Sequence, residues 1–122
     1  MSKPLSFMVV DDSSITIEKL SFIIHDLGHN VARTCSTGQE AVDEYGDVQP
    51  DVVTMDITMP QMNGIDATRS ILQKYKDAKI IMVTSHGQEK MVMDAIEAGA
   101  VGYILKPFSR EKLENVIKEA SL

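Results

Sequence analysis

Five short apolar runs punctuate this chain, and a helical pattern separates each from the next. The runs are 5–10, 30–35, 51–55, 79–83 and 101–105. Strand and helix patterns that alternate from end to end imply an α/β domain with a doubly wound, five-stranded parallel sheet. Right-handed crossovers then place helices on both faces. Leu5 to Val10 has no polar alternation, as expected of a parallel strand covered on both sides. Asn30 to Cys35 is less apolar and is expected at a sheet edge.

The helical segments carry their own signals. Ser13 and Ser14 can cap the first helix, whose apolar stripe is Ile17, Leu20, Ile24 and Leu27, with Gly28 as its stop. The second is predicted from Thr37 to Tyr45 with Ala41, Val42 and Tyr45 inward. The third runs from Ile65 to Tyr75, after a loop marked by Pro60 and Asn63-Gly64. The fourth runs from Gln88 to Ala98 with Met91, Ala95 and Ile96 inward. The last runs from Ser109 to Ala120 and buries Leu113, Val116, Ile117 and Ala120.

At 122 residues the chain is read as one domain, 1–122, able to bury a core without disulfides or a structural metal. A net charge of −6 argues against nucleic acid as a direct partner. No apolar run approaches the roughly 20 residues of a membrane span, and the N-terminus lacks the form of a signal peptide. Lone Cys35 excludes an internal disulfide and a cysteine-based zinc site. The expectation is a cytoplasmic protein that acts through a partner.

Three acidic residues close two of the strands: Asp11 and Asp12 follow the first, and Asp56 follows the third. Thr84 and Lys106 follow the fourth and fifth. In open parallel sheets, ligands bind outside the carboxyl ends of the strands. Three carboxylates in one pocket repel each other and call for a cation. All-oxygen ligands suit Mg²⁺, which keeps waters and leaves room for a phosphate oxygen. Asp56 is the candidate nucleophile, attacking phosphorus to give an acyl phosphate. Asp11, Asp12, Asp56 and the backbone carbonyl of Thr58 are the candidate metal ligands. Lys106 is the candidate donor to a phosphoryl oxygen, with Asp56 as its resting partner, and Thr84 offers a hydroxyl donor. Ser85 is small and leaves the entrance open. A single aspartate, threonine or Lys-Pro after a strand is usually only a cap or a stop. Five such groups at successive strand ends outweigh that reading.

The chain resembles the receiver domains of bacterial two-component response regulators. The matching stretches are Val9-Val10-Asp11-Asp12-Ser13, Asp51-Val52-Val53-Thr54-Met55-Asp56, Met59-Pro60-Gln61-Met62-Asn63-Gly64, Val83-Thr84-Ser85, and Gly99-Ala100-Val101-Gly102-Tyr103-Ile104-Leu105-Lys106-Pro107-Phe108. Five stretches in this order are highly specific, and the likeness covers essentially the whole chain. The resemblance implies a flavodoxin-like (βα)5 fold with strand order 2-1-3-4-5 and a cis Lys106-Pro107 bond. It implies Asp56 as phosphoacceptor, Asp11 and Asp12 as metal-binding acids, Thr84 as switch hydroxyl, Lys106 as the conserved-role lysine, and Mg²⁺ as cofactor. It also implies a sensor histidine kinase as phosphoryl donor. With no effector segment in the sequence, the chain is most similar to single-domain chemotaxis regulators of the CheY type. A downstream protein such as a flagellar motor switch is the corresponding target. Such a protein is a monomer and no enzyme beyond its own phosphorylation and dephosphorylation.

Tyr103 stands three residues before Lys106, where the family has an aromatic switch residue. Its ring is expected to turn inward when Thr84 moves toward a phosphoryl oxygen; the bland reading is a half-buried ring with its hydroxyl in water. The responding face would include Lys90, Met91, Met93, Asp94, Glu97, Tyr103 and Lys112. Met91 is expected in the core and Met93 partly exposed. Thr58 and His86 lie at the rim and are read as tuning water access; His86 is not read as a metal ligand, and neither His25 nor His29 as catalytic. A haloacid-dehalogenase-type phosphatase would need a second aspartate where Thr58 stands. No glycine-rich loop ending in Lys-Ser/Thr supports a nucleotide site. A relay that passes phosphate to a histidine phosphotransfer protein stays open.

Overall fold

The computed structural model describes residues 3–121; the extreme ends of the expected 1–122 domain lie outside the described residues. Ten elements alternate strictly: β1 (Ser6–Val10), α1 (Ser14–Asp26), β2 (Asn30–Cys35), α2 (Gly38–Val48), β3 (Val52–Met55), α3 (Gly64–Lys74), β4 (Ile80–Thr84), α4 (Glu89–Ala98), β5 (Gly102–Leu105) and α5 (Arg110–Ala120). The strands form one parallel sheet in the order β2-β1-β3-β4-β5. The expected flavodoxin-like topology is therefore the one observed, with β2 at an edge.

Two apolar layers sandwich the sheet. On one face Phe7, Val9, Val52, Ile81, Val83 and Ile104 meet Leu20, Ile23 and Ile24 of α1 and Leu113, Ile117 and Ala120 of α5. On the other, Met8, Val10, Val53, Met55, Ile80 and Met82 meet the inward residues of α2, α3 and α4. Strand side chains alternate between the faces, so successive apolar residues of β1, β3 and β4 join one layer and then the other. This two-sided burial is why those strands show no polar alternation.

Side-chain caps set the helix starts. Ser13, Thr37, Asn63 and Ser109 each accept a hydrogen bond from a backbone N–H three residues on. The second helix extends beyond its predicted end at Tyr45 to Val48. Gly46 suggests a stop because glycine weakens a helix interior. Here the helix runs on through it, and a Cβ at Gly46 would meet the Tyr75 hydroxyl at 2.3 Å. The helix ends at Gln49, which takes the left-handed conformation (φ 44°).

The fourth helix differs from expectation in one side chain. Ile96 is 56% exposed, not inward; Ala95 and Ala98 bury themselves instead, and Met91 is partly buried. Small residues let α4 lie close to α3, and the helical turn then directs Ile96 outward. Met93 is half exposed, as expected. Among the described residues, no helix is long and apolar enough to cross a membrane.

These placements make opposite demands on stability. Ile81→Ala should cost about 3 kcal/mol, because Ile81 is wholly buried against α5 and its cavity cannot collapse. Ile96→Ala should change stability by less than about 0.5 kcal/mol. Urea unfolding of both variants checks this; a large loss for Ile96→Ala would contradict its outward position.

Candidate functional site

Strand register assembles the site. Val10 pairs with Met55, so Asp11 and Asp56, one residue further on, come side by side. Asp56 N–H donates to the Val10 carbonyl at 3.0 Å, and Asp11 N–H to the Cys35 carbonyl at 3.0 Å. Thr84 pairs with Leu105, and Lys106 N–H then donates to the Thr84 carbonyl at 2.8 Å. Four of the predicted residues thus stand along one edge of the sheet through backbone pairing alone.

Carboxylate oxygens of Asp11, Asp12 and Asp56 all lie within 4.8 Å of one another. Asp11 is 1% exposed and Asp56 7%, whereas Asp12 is open to solvent. One Asp11 oxygen accepts from Ser13 N–H at 2.9 Å, and one Asp56 oxygen from Ile57 N–H at 2.8 Å. Burial, and then the neighbouring Asp11 charge, push the Asp56 carboxyl above its ordinary range; Lys106 and the Ile57 N–H pull the other way.

Lys106 bridges the two buried acids, adding Asp11 to the expected Asp56. Its Nζ donates to Asp11 Oδ2 at 2.9 Å and lies 3.6 Å from Asp56 Oδ2. The expected ion pair with Asp56 is present, and the shorter contact with Asp11 is an addition the sequence did not suggest. Asp11 is the more deeply buried acid, so it gains most from the ammonium. The lysine backbone is anchored nearby. Lys19 donates to the Phe108 carbonyl at 3.1 Å and sits 4.6 Å from the Phe108 ring centre, tying α1 to the segment after β5. The Lys106-Pro107 bond is cis, as the resemblance implied.

Thr84 is fully buried, and its hydroxyl accepts from His86 N–H at 3.3 Å. Thr58 stands exposed at the mouth, where its hydroxyl pairs with His86 Nε2 at 2.6 Å. That contact links the loops after β3 and β4; the sequence placed both residues at the rim but gave no sign that they touch. Tyr103 is half buried, and its hydroxyl donates to the His86 carbonyl. The phenol is thus engaged by the β4–α4 loop, not left in water. Gly64 closes the other side: a Cβ there would stand 1.9 Å from the Asp56 carbonyl oxygen. Cys35 takes no part, since burial and nearby Glu44 and Glu40 push its thiol up to about 12.

The donor set fits Mg²⁺. It is all oxygen, carries three carboxylates and has one open side at Asp12.

A parallel sheet with acids, a threonine and a lysine clustered at its switch point is the arrangement of a receiver domain of two-component systems. The chain belongs to the response regulator receiver domain family, whose pattern it matches over residues 7–118. It is 43% identical over 114 residues to the chemotaxis protein CheY of Thermotoga maritima, covering 93% of this chain and 95% of that protein. It is 40% identical over 112 residues to CheY of Bacillus subtilis, covering 92% of this chain and 93% of that protein. Among solved structures it superimposes with a TM-score of 0.94 on a chain of the CheX-CheY-BeF3-Mg complex from Borrelia burgdorferi. That match has 36% identity and covers 98% of this chain and 90% of that one.

The raised carboxyl of Asp56 has a signed consequence for stability. A group protonated more readily in the folded state than in the unfolded state stabilises at low pH, and that contribution is lost as pH rises through its folded-state value. At neutral pH without divalent cations, Asp56→Asn should therefore raise Tm by a few degrees. The gain should shrink as pH falls toward the ordinary aspartate range. Thermal unfolding from pH 7.5 to 4 measures it; a gain independent of pH would show that charge repulsion is not its source.

Proposed function

We propose that this chain is a phosphorylation-dependent signalling switch of chemotaxis. Asp56 accepts a phosphoryl group from a histidine kinase in a Mg²⁺-dependent reaction, and the change alters binding to a protein partner. The supporting observation is the lysine-bridged pair of buried carboxylates beside Thr84, on a chain that spans almost the whole length of CheY relatives.

An Asp56 carboxylate oxygen attacks phosphorus, the P–O bond of the acyl phosphate forms, and the bond to the donor breaks with its electron pair. From phosphohistidine the leaving group is the imidazole, which takes up a proton; from acetyl phosphate it is acetate. Bound magnesium would be held by Asp11, Asp12, Asp56 and the Thr58 carbonyl, and would neutralise charge on the transferring oxygens. The protein's own part is positioning. The Ile57 N–H holds one Asp56 oxygen and leaves Oδ2 toward the cluster. Lys106 is 3.6 Å away and can shift from Asp11 to a phosphoryl oxygen once the acids are compensated. Thr84 can donate its hydroxyl to a second oxygen.

Signal transmission follows from the same loop. Thr84 contacts His86 N–H, and the His86 carbonyl holds Tyr103. Movement of Thr84 therefore pulls directly on the residue that positions the phenol, and turns the Tyr103 ring further inward. Met93, Ile96 and Leu105 are exposed on α4 and β5 beside it, and form the apolar part of the surface that changes. The chain acts as a cytoplasmic monomer, with no nucleic-acid or membrane partner, and catalyses only its own phosphorylation and dephosphorylation.

Incubation with acetyl phosphate, with and without Mg²⁺, followed by intact mass tests the phosphoacceptor. Wild type should gain one base-labile phosphoryl group only with Mg²⁺, and Asp56→Asn none. Labelling of Asp56→Asn at the wild-type rate would sink the assignment. Lys106→Ala should keep Mg²⁺ binding while losing the phosphorylation-dependent rise in partner affinity. Rapid transfer from phosphorylated wild type to a histidine phosphotransfer protein would instead identify a relay.

A further inference from the structure

The loop from Asp56 to Gly64 has an unusual backbone. Gln61 (φ 50°) and Met62 (φ 86°) are consecutive non-glycine residues in the left-handed region. Side chains rarely adopt that conformation, and it persists only where surrounding structure enforces it. The enforcing partner is the first turn of α2. Gln39 N–H donates to the Gln61 carbonyl at 2.9 Å. A Cβ at Gly38 would stand 2.2 Å from the Met62 carbonyl oxygen, 2.9 Å from its carbon and 3.2 Å from the Asn63 oxygen. All three are backbone atoms, which cannot rotate away as a side chain can.

Gly38 has no conformational need of its own to be glycine. Its φ lies outside the left-handed region, and α2 is already capped by Thr37, which accepts from Glu40 N–H at 3.0 Å. Alanine there would favour the helix. What requires glycine is the close approach of the loop. At its far end the loop is held again: Gly64 N–H donates to the Ile57 carbonyl at 2.8 Å, and Gly64 abuts the Asp56 carbonyl. Thr58 lies in the short arc between these two clamps.

We infer that Gly38 is a positioning residue for the cation: the first turn of α2 fixes the β3–α3 loop and, through it, the Thr58 carbonyl. This rests on the proposed role of that carbonyl as a magnesium ligand. A side chain at position 38 displaces the Met62 carbonyl, and the displacement runs back along the loop to Thr58. Catalytic atoms of Asp56 and Lys106, built on strand ends, stay in place. The consequence is a weaker cation site with intact chemistry.

The test is a Mg²⁺ titration of wild type and Gly38→Ala by calorimetry and by ¹⁵N NMR, with thermal unfolding of both. In wild type the Gln39 amide should shift with the same midpoint as those of Ile57 and Thr58. Gly38→Ala should bind Mg²⁺ about tenfold more weakly, as loss of a group supporting a ligand does. Its phosphorylation by acetyl phosphate should recover at saturating Mg²⁺. Adding Met62→Gly, which frees the left-handed residue to move its carbonyl, should restore affinity. A folded Gly38→Ala with wild-type affinity would overturn the inference, as would a wild-type Gln39 amide that ignores Mg²⁺. The wild-type titration decides the matter if Gly38→Ala does not fold. Failure of wild type to bind Mg²⁺ at all would remove the proposed function and this inference together.

Discussion

The unfavourable closeness of two buried carboxylates is the constraint around which this molecule is arranged. At the separation of the acidic oxygens, two like charges repel by roughly 3 kcal/mol at an effective dielectric of about 20. Such a pair survives only where the strands carrying it cannot move apart. Here β1 and β3 lie at the centre of the sheet, each bonded on both sides and packed on both faces. The rigid two-layer core therefore has a functional meaning: it holds a charge cluster that would otherwise push itself open. Lys106 offsets part of the repulsion from the loop after β5, and its closeness to Asp11 leaves Asp56 the less compensated acid.

That asymmetry separates the roles of otherwise similar groups. Asp11 is held by the lysine and by Ser13 N–H, so it is spoken for on both oxygens. Asp56 has one oxygen fixed by Ile57 N–H and the other only at the edge of the lysine's reach. Asp56 is thus the acid whose charge most calls for a cation beside it. Thr84, His86 and Tyr103 form a chain of contacts leading away from that point. Two of these residues, Thr84 at the end of β4 and Tyr103 on β5, start from strands packed against the core, and only His86 lies on a loop.

How much of this could be read in the sequence depended on the kind of interaction. The strands were legible because burial on both faces leaves an unmistakable apolar run, and the acids were legible because each ends such a run. Ile96 was misplaced because helical spacing identifies a stripe but not its width, and alanines 95 and 98 were enough to fill the contact with α3. The end of α2 was placed too early because the apolar pattern stops at Tyr45, while the helix runs on to Val48 and closes on left-handed Gln49. That Lys106 bridges Asp11 as well as Asp56, and lies closer to Asp11, depends on how the loop after β5 packs, which no spacing encodes. The Thr58–His86 pair joins two loops 28 residues apart and appears only when β3 and β4 are neighbours.

The glycines carry a related lesson about where precision resides. Gly38 and Gly64 admit backbone at distances no side chain allows, so the loop bearing Thr58 is clamped by main-chain contact at both ends. Main-chain clamps are stiffer than side-chain contacts, since no rotamer change relieves them. A metal that demands near-ideal octahedral geometry benefits from a ligand held in this way. The proposed switch would also need parts that move, and the contacts of Thr84 and Tyr103 with His86 lie on the other side of the site, in the loop after β4. The pocket thus divides into a fixed half, built by β1, β3 and the first turn of α2, and a responsive half built by Thr84, His86, Tyr103 and Lys106. In the proposed mechanism the cation would sit on the first half and the signal would leave through the second, with Asp56 at their boundary.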